Sequence, residues 1–320
     1  MEKTMERVSV IVPCYNEEKN IEVFYNTITQ VFKDSGYELE LVMVNDGSSD
    51  NTAAQLHKLS LKNDCRVKAI SFSRNFGKEA AMYAGFCNVT GDYTAIIDAD
   101  MQQDPALLLG MLKVFEEEKD IDSVAYYQEE RKENKIIKFF KNKFYSMINK
   151  MSDVEFVSGA SDFRMFRRPV VEAILKLSEK TRFSKGIFSW VGFNTKYLPY
   201  VVNERMYGES KWSFVKLFKY ALSGVVSFST APLSIATFMG SFFATASMIY
   251  LLVVLIQKIF FGIAVAGYAT IVVLILLLGG IQLFCLGIIG EYLARVFVES
   301  KQRPIYLVRD VYTNIDEKEE

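Results

Sequence analysis

Two long stretches without charge constrain the fold of this 320-residue chain more than any other feature of its sequence. No charged residue lies between Lys219 and Lys258, and none lies between Lys258 and Glu291. Each interval contains about 20 predominantly apolar residues, enough for a helix to cross the roughly 30 Å hydrocarbon layer of a bilayer. We therefore predict two transmembrane helices, at about residues 235–256 and 268–289.

Basic residues flank the predicted hairpin unevenly. Each flank holds three of them, whereas the loop between the two helices holds one. In chain order they are Lys211, Lys216, Lys219, Lys258, Arg295, Lys301 and Arg303. By the positive-inside rule, both ends of the hairpin lie on the cytoplasmic side. We therefore expect an integral protein of the cell membrane whose two termini and main domain are cytoplasmic.

The region before the hairpin alternates β-branched apolar runs with helical patterns. The predicted strands are residues 8–12, 39–44, 67–72, 93–97 and 123–127. The predicted helices are residues 18–33, 52–61, 78–88 and 106–117. Continuous apolar strands that alternate with helices indicate an α/β fold with a mostly parallel sheet, covered on both faces. In such sheets, ligands bind outside the carboxyl ends of the strands.

The fourth predicted strand ends in two carboxylates and an amide. Asp98, Asp100 and Gln102 follow an apolar run at i, i+2 and i+4, so their side chains can all point the same way. Oxygen ligands favour hard divalent ions, and Mg²⁺ is usually held by one or two carboxylates together with substrate phosphates. An Asp-rich turn without a metal is the alternative for this pattern on its own.

Three further polar loops are predicted at the same edge of the sheet, at residues 13–18, 45–50 and 73–78. Asp46 could accept hydrogen bonds from a base or ribose, and residues 48–50 could equally be a helix N-cap. Arg74 and Lys78 could contact phosphates. No Gly-x-Gly-x-x-Gly follows the first strand and no Gly-Lys-Ser/Thr loop occurs, so neither a dinucleotide-binding fold nor a P-loop nucleotidase is supported.

Four motifs, in this order, resemble those of the family 2 inverting glycosyltransferases, and within them the polyprenyl-phosphate branch. They are VIVPCYNEE at 10–18, NDGSSD at 45–50, NFGKEA at 75–80 and DADMQ at 98–102. The resemblance continues at residues 161–164, 182–183, 186–193, 205–211 and 303–306, so it covers nearly the whole chain. It implies a nucleotide-sugar-binding domain of the GT-A type followed by two transmembrane helices. The amphipathic pattern just before the first of these helices predicts an interfacial helix between the two parts.

The expected division of the chain follows from these patterns. We expect a cytoplasmic catalytic domain at 1–210, a juxtamembrane interfacial helix at 211–231, the transmembrane hairpin at 232–293 and a cytoplasmic tail at 294–320. A second amphipathic segment, at 134–151, carries lysines around an apolar stripe and is suited to an anionic bilayer surface. An ordinary surface helix packed on the sheet is the alternative for that segment.

The resemblance assigns the donor site residue by residue. It implies that the nucleotide sugar is held by Pro13, Tyr15, Glu17, Asp46 and Asp98. It implies that Mg²⁺ or Mn²⁺ is bound, with the donor diphosphate, by Asp98, Asp100 and Gln102. The metal would stabilise the leaving diphosphate as a Lewis acid, with Lys78 and Lys211 as additional cations.

The implied catalytic residues are Asp162 at the reaction centre and Asp100 at the metal. A phosphate monoester has a second pKa of about 6, so at neutral pH it is already mostly a dianion and needs positioning more than deprotonation. We therefore predict that Asp162 orients the donor or the acceptor and is not an obligatory base. Arg131 and Arg164 are candidates to hold the lipid phosphate, with a surface ion pair as the alternative for Arg164.

These expectations converge on a membrane-anchored enzyme that transfers glucose from UDP-glucose to a polyprenyl phosphate such as undecaprenyl phosphate. The choice of glucose rests on analogy with bacterial two-helix glucosyltransferases, so N-acetylglucosamine, galactose and mannose stay open. A processive polysaccharide synthase is disfavoured because no Gln-x-x-Arg-Trp motif occurs. A non-catalytic accessory subunit for export of lipid-linked sugar is the rival from another class. The expected partners are the donor, the lipid acceptor, the bilayer and further copies of the chain, with no nucleic acid.

Overall fold

The computed structural model describes residues 5–128, 149, 154, 157, 159–201, 224, 226–261 and 267–315. Arg131 and Lys211 lie outside the described residues. So do nearly all of the amphipathic segment predicted at 134–151 and most of the juxtamembrane helix predicted at 211–231. The predictions for these parts of the chain therefore stay predictions.

Eight strands occur among the described residues: β1 (Arg7–Cys14), β2 (Glu38–Asn45), β3 (Arg66–Phe72), β4 (Tyr93–Ile96), β5 (Ser123–Gln128), β6 (Ala160–Arg167), β7 (Thr195–Tyr200) and β8 (Val308–Thr313). The described helices are α1 (Ile21–Phe32), α2 (Thr52–Leu59), α3 (Lys78–Phe86), α4 (Leu107–Glu117), α5 (Arg168–Lys176), α6 (Ser184–Trp190), α7 (Ala231–Phe261) and α8 (Tyr268–Ser300). Every strand and helix predicted before residue 128 is present, with ends that differ by a few residues.

The strands form one sheet in the order β7-β5-β6-β4-β1-β2-β3-β8. The central strands β4, β1, β2 and β3 are all parallel to their neighbours in this group. Antiparallel pairing begins on either side of it, where β6 pairs with β4 and β8 pairs with β3. The predicted α/β fold with a mostly parallel sheet is therefore confirmed.

Apolar side chains are buried on both faces of the sheet. On β1, Val10 and Val12 pack on one face with Phe24 of α1, whereas Ile11 packs on the other face with Ala81 of α3. The strands are therefore apolar at consecutive positions, which explains why they read as continuous runs in the sequence. The parallel strands end together at one edge, and the polar loops that follow β1, β2, β3 and β4 meet there.

The segment after α8 returns to the sheet as β8. It pairs with β3 from Lys68 opposite Thr313 to Phe72 opposite Val308. The Asn314 side chain then accepts a hydrogen bond from the Val67 amide at 2.7 Å and donates to the Lys62 and Cys65 carbonyls at 2.5 and 2.8 Å. The region expected to be a tail therefore supplies an edge strand.

The two long helices are attached to the domain at their base. Residues Ala231–Phe260 and Thr270–Ser300 are long and apolar enough to span a membrane. The Glu299 carboxylate, near the end of α8, accepts hydrogen bonds from the amides of Lys180 and Thr181 at 2.7 and 3.3 Å. Phe228, just before α7, lies so close to Gly186 of α6 that a Cβ there would come within 2.3 Å of the ring.

Candidate active site

A cleft of about 250 Å³ lies where β1, β2 and β4 end. Its lining is formed by Pro13, Cys14, Tyr15, Glu17, Asp46, Asn75, Gly77, Lys78, Ala81, Asp98, Ala99 and Asp100. The structure thus brings together the residues that the sequence suggests for the donor site, apart from Gln102, Arg74 and the undescribed Lys211. The Arg74 guanidinium lies over the Phe76 ring, 4.3 Å from its centroid. A larger cavity of about 820 Å³ lies at the opposite edge, where β2 and β3 begin, and contains none of the predicted donor-site residues.

The loops after β1 and β2 hold each other in place. The Asn16 amide donates to the Ser48 hydroxyl at 2.9 Å, and the Asn16 side-chain oxygen accepts from the Ser49 amide at 2.9 Å. Asn16 has a φ of 55°, a left-handed conformation that asparagine tolerates better than most residues. The Glu17 amide donates to the Thr52 hydroxyl at 2.9 Å. These contacts fix the wall of the cleft that carries Tyr15 and Glu17.

Asp46 anchors the loop after β3. Its carboxylate accepts hydrogen bonds from the amides of Phe76, at 2.6 Å, and Gly77, at 2.9 Å. Burial raises the pKa of Asp46, although the two amide hydrogen bonds oppose that rise. Gly47 makes the close approach possible, because its φ is 61° and a Cβ would lie 2.2 Å from the Arg74 carbonyl carbon. Asp46 therefore has a structural task besides the nucleoside contact implied by the resemblance.

Lys78 joins the metal motif to the predicted reaction centre. Its Nζ lies 2.7 Å from Asp98 Oδ1 and 3.2 Å from Asp162 Oδ2. The sheet explains this proximity, because β6 pairs antiparallel with β4 and sets Ile96 opposite Arg164. Because the strands are antiparallel, two residues after Ile96 and two residues before Arg164 the same register brings Asp98 and Asp162 towards each other. Two carboxylates that are distant in sequence thus share one ammonium.

Asp162 lies in a strongly positive environment. Its side chain is 19% exposed, and its Oδ1 is buried without a hydrogen-bond partner among the described residues. Burial favours a higher pKa for Asp162, but Lys78, Lys185 and Arg164 outweigh it and lower the pKa to about 2. Asp162 is therefore ionised throughout the physiological range.

Arg164 lies behind Asp162 and does not line the described cleft. It is only 3% exposed, its guanidinium carbon lies 4.7 Å from the centroid of the Phe188 ring, and it donates to the Ser161 carbonyl at 3.2 Å. Burial lowers the pKa of Arg164. Its predicted contact with the acceptor phosphate stays a prediction. Lys185, which acts on the pKa of Asp162, is missing from the sequence prediction, because it falls in the gap between the stretches 182–183 and 186–193 that carry the resemblance.

The residues after β4 form a tight turn that presents Asp98 and Asp100. Met101 has a φ of 61°, an uncommon conformation for this residue type and a frequent mark of a functional turn. The Gln102 amide donates to Asp100 Oδ1 at 3.2 Å. Buried Gln103 accepts from the Asp98 amide at 3.1 Å. The turn is therefore shaped by its own side chains.

The donor set of this turn suits a divalent ion that binds together with its substrate. Within the described ranges, no cluster of three or more His, Cys, Asp or Glu residues could hold a metal. Asp98 and Asp100 both line the cleft and offer only oxygen. Two carboxylates, with the remaining positions left to water and phosphate, match the way proteins bind Mg²⁺.

Two regions of the chain match known protein families. Residues 9–175 match the model of glycosyl transferase family 2, and residues 231–296 match that of the GtrB C-terminal hairpin. The bactoprenol glucosyl transferase of Shigella phage SfX is 39% identical over 95% of this chain and 99% of its own length. CsbB of Bacillus subtilis (strain 168), whose glycosyltransferase assignment is provisional, is 42% identical over 98% of this chain and 93% of its own.

One solved structure illustrates how far the likeness in fold extends. A mannosyltransferase from Pyrobaculum calidifontis, solved with GDP-Man and Mn²⁺, is 17% identical with a TM-score of 0.46, over 91% of this chain and 88% of that one. The family assignment rests instead on the family model, which covers more than half of the chain, and on the close relatives, which match it almost end to end. The chain belongs to glycosyltransferase family 2.

Proposed function

We propose that this enzyme transfers glucose from UDP-glucose to a polyprenyl phosphate, with inversion at the sugar, at the cytoplasmic face of the cell membrane. The observation that carries the proposal is the architecture shared with the bactoprenol glucosyl transferases, which includes both the catalytic region and the hairpin. Bactoprenol is a polyprenol, so these relatives support a lipid acceptor. Their name also supports glucose as the transferred sugar.

The attachment of the hairpin supports a lipid acceptor independently. The base of the two long helices contacts α6 through Phe228, and α6 also carries Phe188, whose ring packs on Arg164. Arg164 lies two residues from Asp162 on β6. The proposed reaction centre is thus connected by side-chain contacts to the start of the membrane hairpin. An acceptor whose chain lies in the bilayer could present its phosphate on this side of the cleft.

The donor site is proposed to use a divalent ion, Mg²⁺ or Mn²⁺. Asp98 and Asp100 would hold it, with Gln102 as a third oxygen ligand, and when bound it would stabilise negative charge on the leaving diphosphate. Pro13, Tyr15 and Glu17 form the wall on which the nucleoside would lie. Positioning and charge stabilisation of this kind supply most of the catalysis in phosphate leaving-group chemistry.

Asp162 is proposed to position the reactants. A carboxylate with a pKa of about 2 is a weak base. This pKa is far below the operating pH, whereas an efficient general base has a pKa close to it. The acceptor phosphate already carries the negative charge that it needs for attack at the anomeric carbon. Asp162 therefore orients the sugar or the acceptor, and Arg164 and Arg131 are proposed to balance the charge of the lipid phosphate.

The test is nucleotide release by the purified full-length protein with undecaprenyl phosphate in detergent. UDP-glucose, UDP-N-acetylglucosamine, UDP-galactose and GDP-mannose are compared, each with and without Mg²⁺ or Mn²⁺. The proposal predicts lipid-dependent and metal-dependent release of UDP from UDP-glucose. Asp100→Asn serves as the inactive control.

Each alternative gives a distinct result. Lipid-dependent release from another donor would retain the reaction and correct the sugar. Release that needs no lipid would contradict the polyprenyl phosphate as acceptor. An absence of release from every donor, in protein that still binds a nucleotide sugar, would favour the accessory-subunit reading and overturn the proposal.

A further inference from the structure

Lys78 contacts two carboxylates to which the proposed reaction gives different tasks. Its Nζ lies 2.7 and 2.8 Å from the two Asp98 oxygens and 3.2 Å from Asp162 Oδ2. The contact with Asp98 Oδ2 is a hydrogen bond, and the other two are close ion pairs of the same ammonium. The positive charge therefore already lies on the carboxylate that would bind the metal.

The backbone on either side of Lys78 is fixed. The preceding Gly77 amide donates to Asp46, at 2.9 Å. The following Glu79 accepts a hydrogen bond from the Ser184 amide at 2.9 Å and another from the Ser184 hydroxyl. Because both neighbours are tied to other elements, the Lys78 ammonium can leave Asp98 only by a rotation of its own side chain.

We propose that Lys78 is an internal counter-ion that keeps divalent cations off Asp98 until the donor diphosphate arrives. A cation on the Asp98 oxygens would lie next to the ammonium, and like charges at this range repel strongly in a partly buried site. A diphosphate offers new acceptors to Lys78 and adds negative charge for the metal. Metal and nucleotide therefore bind as a pair. This inference rests on the proposed donor site.

The experiment measures Mn²⁺ binding instead of turnover. Full-length protein in detergent micelles is titrated with Mn²⁺, and free Mn²⁺ is followed by electron paramagnetic resonance, without nucleotide, with saturating UDP and with saturating GDP. The variants are Lys78→Met, which removes the charge, and Lys78→Gln, which removes the charge but retains a side-chain amide that can donate hydrogen bonds. Lys78→Arg is the matched control that keeps the charge, and Asp100→Asn marks the site. Thermal melting verifies that each variant is folded.

Without nucleotide, we expect Lys78→Met and Lys78→Gln to bind Mn²⁺ about tenfold or more tightly than the wild type, a typical size for coupling between sites. Lys78→Arg should resemble the wild type. UDP should tighten Mn²⁺ binding strongly in the wild type and much less in the two uncharged variants. Lys78→Gln carries the test alone if Lys78→Met does not fold.

The result that overturns the inference is equal or weaker Mn²⁺ binding by the uncharged variants without nucleotide. That failure is distinct from a failure of the proposed donor site. If the wild type binds Mn²⁺ with UDP and Asp100→Asn does not, the donor site stands and only the role of Lys78 is wrong. If neither binds Mn²⁺ with UDP or with GDP, the donor site itself is wrong and the inference falls with it.

Discussion

Two acidic side chains near opposite ends of the strands of the same sheet show how a carboxylate held by neutral donors differs from one paired with a cation. Glu40, 1% exposed in the first half of β2, accepts from the Ser9 hydroxyl and from the amide and hydroxyl of Thr90, at 2.9 and 2.8 Å. Asp162, near the cleft, pairs instead with Lys78 and keeps one oxygen without a described partner. Neutral donors therefore satisfy the Glu40 carboxylate, whereas a cation pairs with the Asp162 carboxylate.

The difference follows from what each end of the sheet must do. Glu40 joins the beginnings of neighbouring strands, since Ser9 also accepts from the Gly91 amide at 2.8 Å next to β4. Both of its oxygens accept hydrogen bonds from buried or partly buried donors, so losing one of these bonds costs stability. Asp162 has charge partners that a bound diphosphate could draw away. The predictions below use this contrast, from the largest expected effect to the smallest.

Asp98→Asn and Asp100→Asn should each lower kcat by about 10³-fold, because the site would lose charge needed to stabilise the leaving diphosphate. Steady-state nucleotide release at saturating lipid measures the loss. The melting temperature should change little. A loss below about tenfold in both variants would show that this turn does not hold the metal.

Asp162→Asn should lower kcat by about 10²-fold, the cost of misplacing a reacting group. The amide keeps the shape but removes the negative charge that pairs with Lys78. The pH profile of the residual activity should keep the wild-type form. A loss as large as that of Asp98→Asn, together with the disappearance of an inflection in the profile, would restore a base role for Asp162.

Gly47→Ala should raise the KM for the nucleotide sugar about tenfold and destabilise the domain by about 1 to 3 kcal/mol. The added Cβ would meet backbone atoms of Arg74 and Asn75 at 2.2 and 2.5 Å, so the loop that Asp46 anchors must shift. Gly36→Ala is a matched control, because its φ is also positive but nothing lies within 4 Å of a Cβ there. Equal effects in both variants would refute the steric explanation.

Glu40→Gln should destabilise the protein by about 1 to 3 kcal/mol and leave kcat within about twofold of the wild type. It is the counterpart of Asp162→Asn, since both exchange a carboxylate for its amide. Thermal melting in detergent and nucleotide release measure the two effects. A large loss of kcat in folded Glu40→Gln would break the contrast between the two ends of the sheet.

The pH profile should show no inflection from Asp162 between about pH 4 and 9. Its pKa is lowered from the ordinary value of 3.8 to about 2, so the carboxyl is protonated only in strong acid. The acid limb of kcat/KM should instead lie at about pH 6, where the acceptor phosphate gains its second proton. If the acid limb of kcat/KM shifted to a different pH in Asp162→Glu, the titrating group would be Asp162 and not the acceptor phosphate.

The sequence predicts the parallel half of the sheet because the information for it is local. Continuous apolar runs mark β1 to β4, and the strand-end rule then brings Lys78, Asp98 and Asp100 to one edge without knowledge of any long-range contact. The information that predicts the two-helix hairpin is equally local, since an uncharged apolar run of sufficient length indicates a membrane-spanning helix without any long-range contact.

The remainder depends on pairings between distant segments. β6 mixes polar and apolar residues without a continuous apolar run, and β8 becomes a strand only by pairing with β3. Asp162 is named only through the family resemblance, since its place beside Asp98 requires the antiparallel register of β4 and β6. Likewise, no local pattern reveals that Asp46 must anchor the loop at Phe76.

The most direct test of the account is the mass of the lipid product after exhaustive reaction. Purified protein is incubated with undecaprenyl phosphate, excess UDP-glucose and Mg²⁺, and the extracted lipid is examined by mass spectrometry. The account predicts complete conversion to a lipid phosphate that carries a single hexose, with no conversion by Asp100→Asn. A ladder of longer oligosaccharides, or a lipid without sugar while UDP is still released, would contradict it.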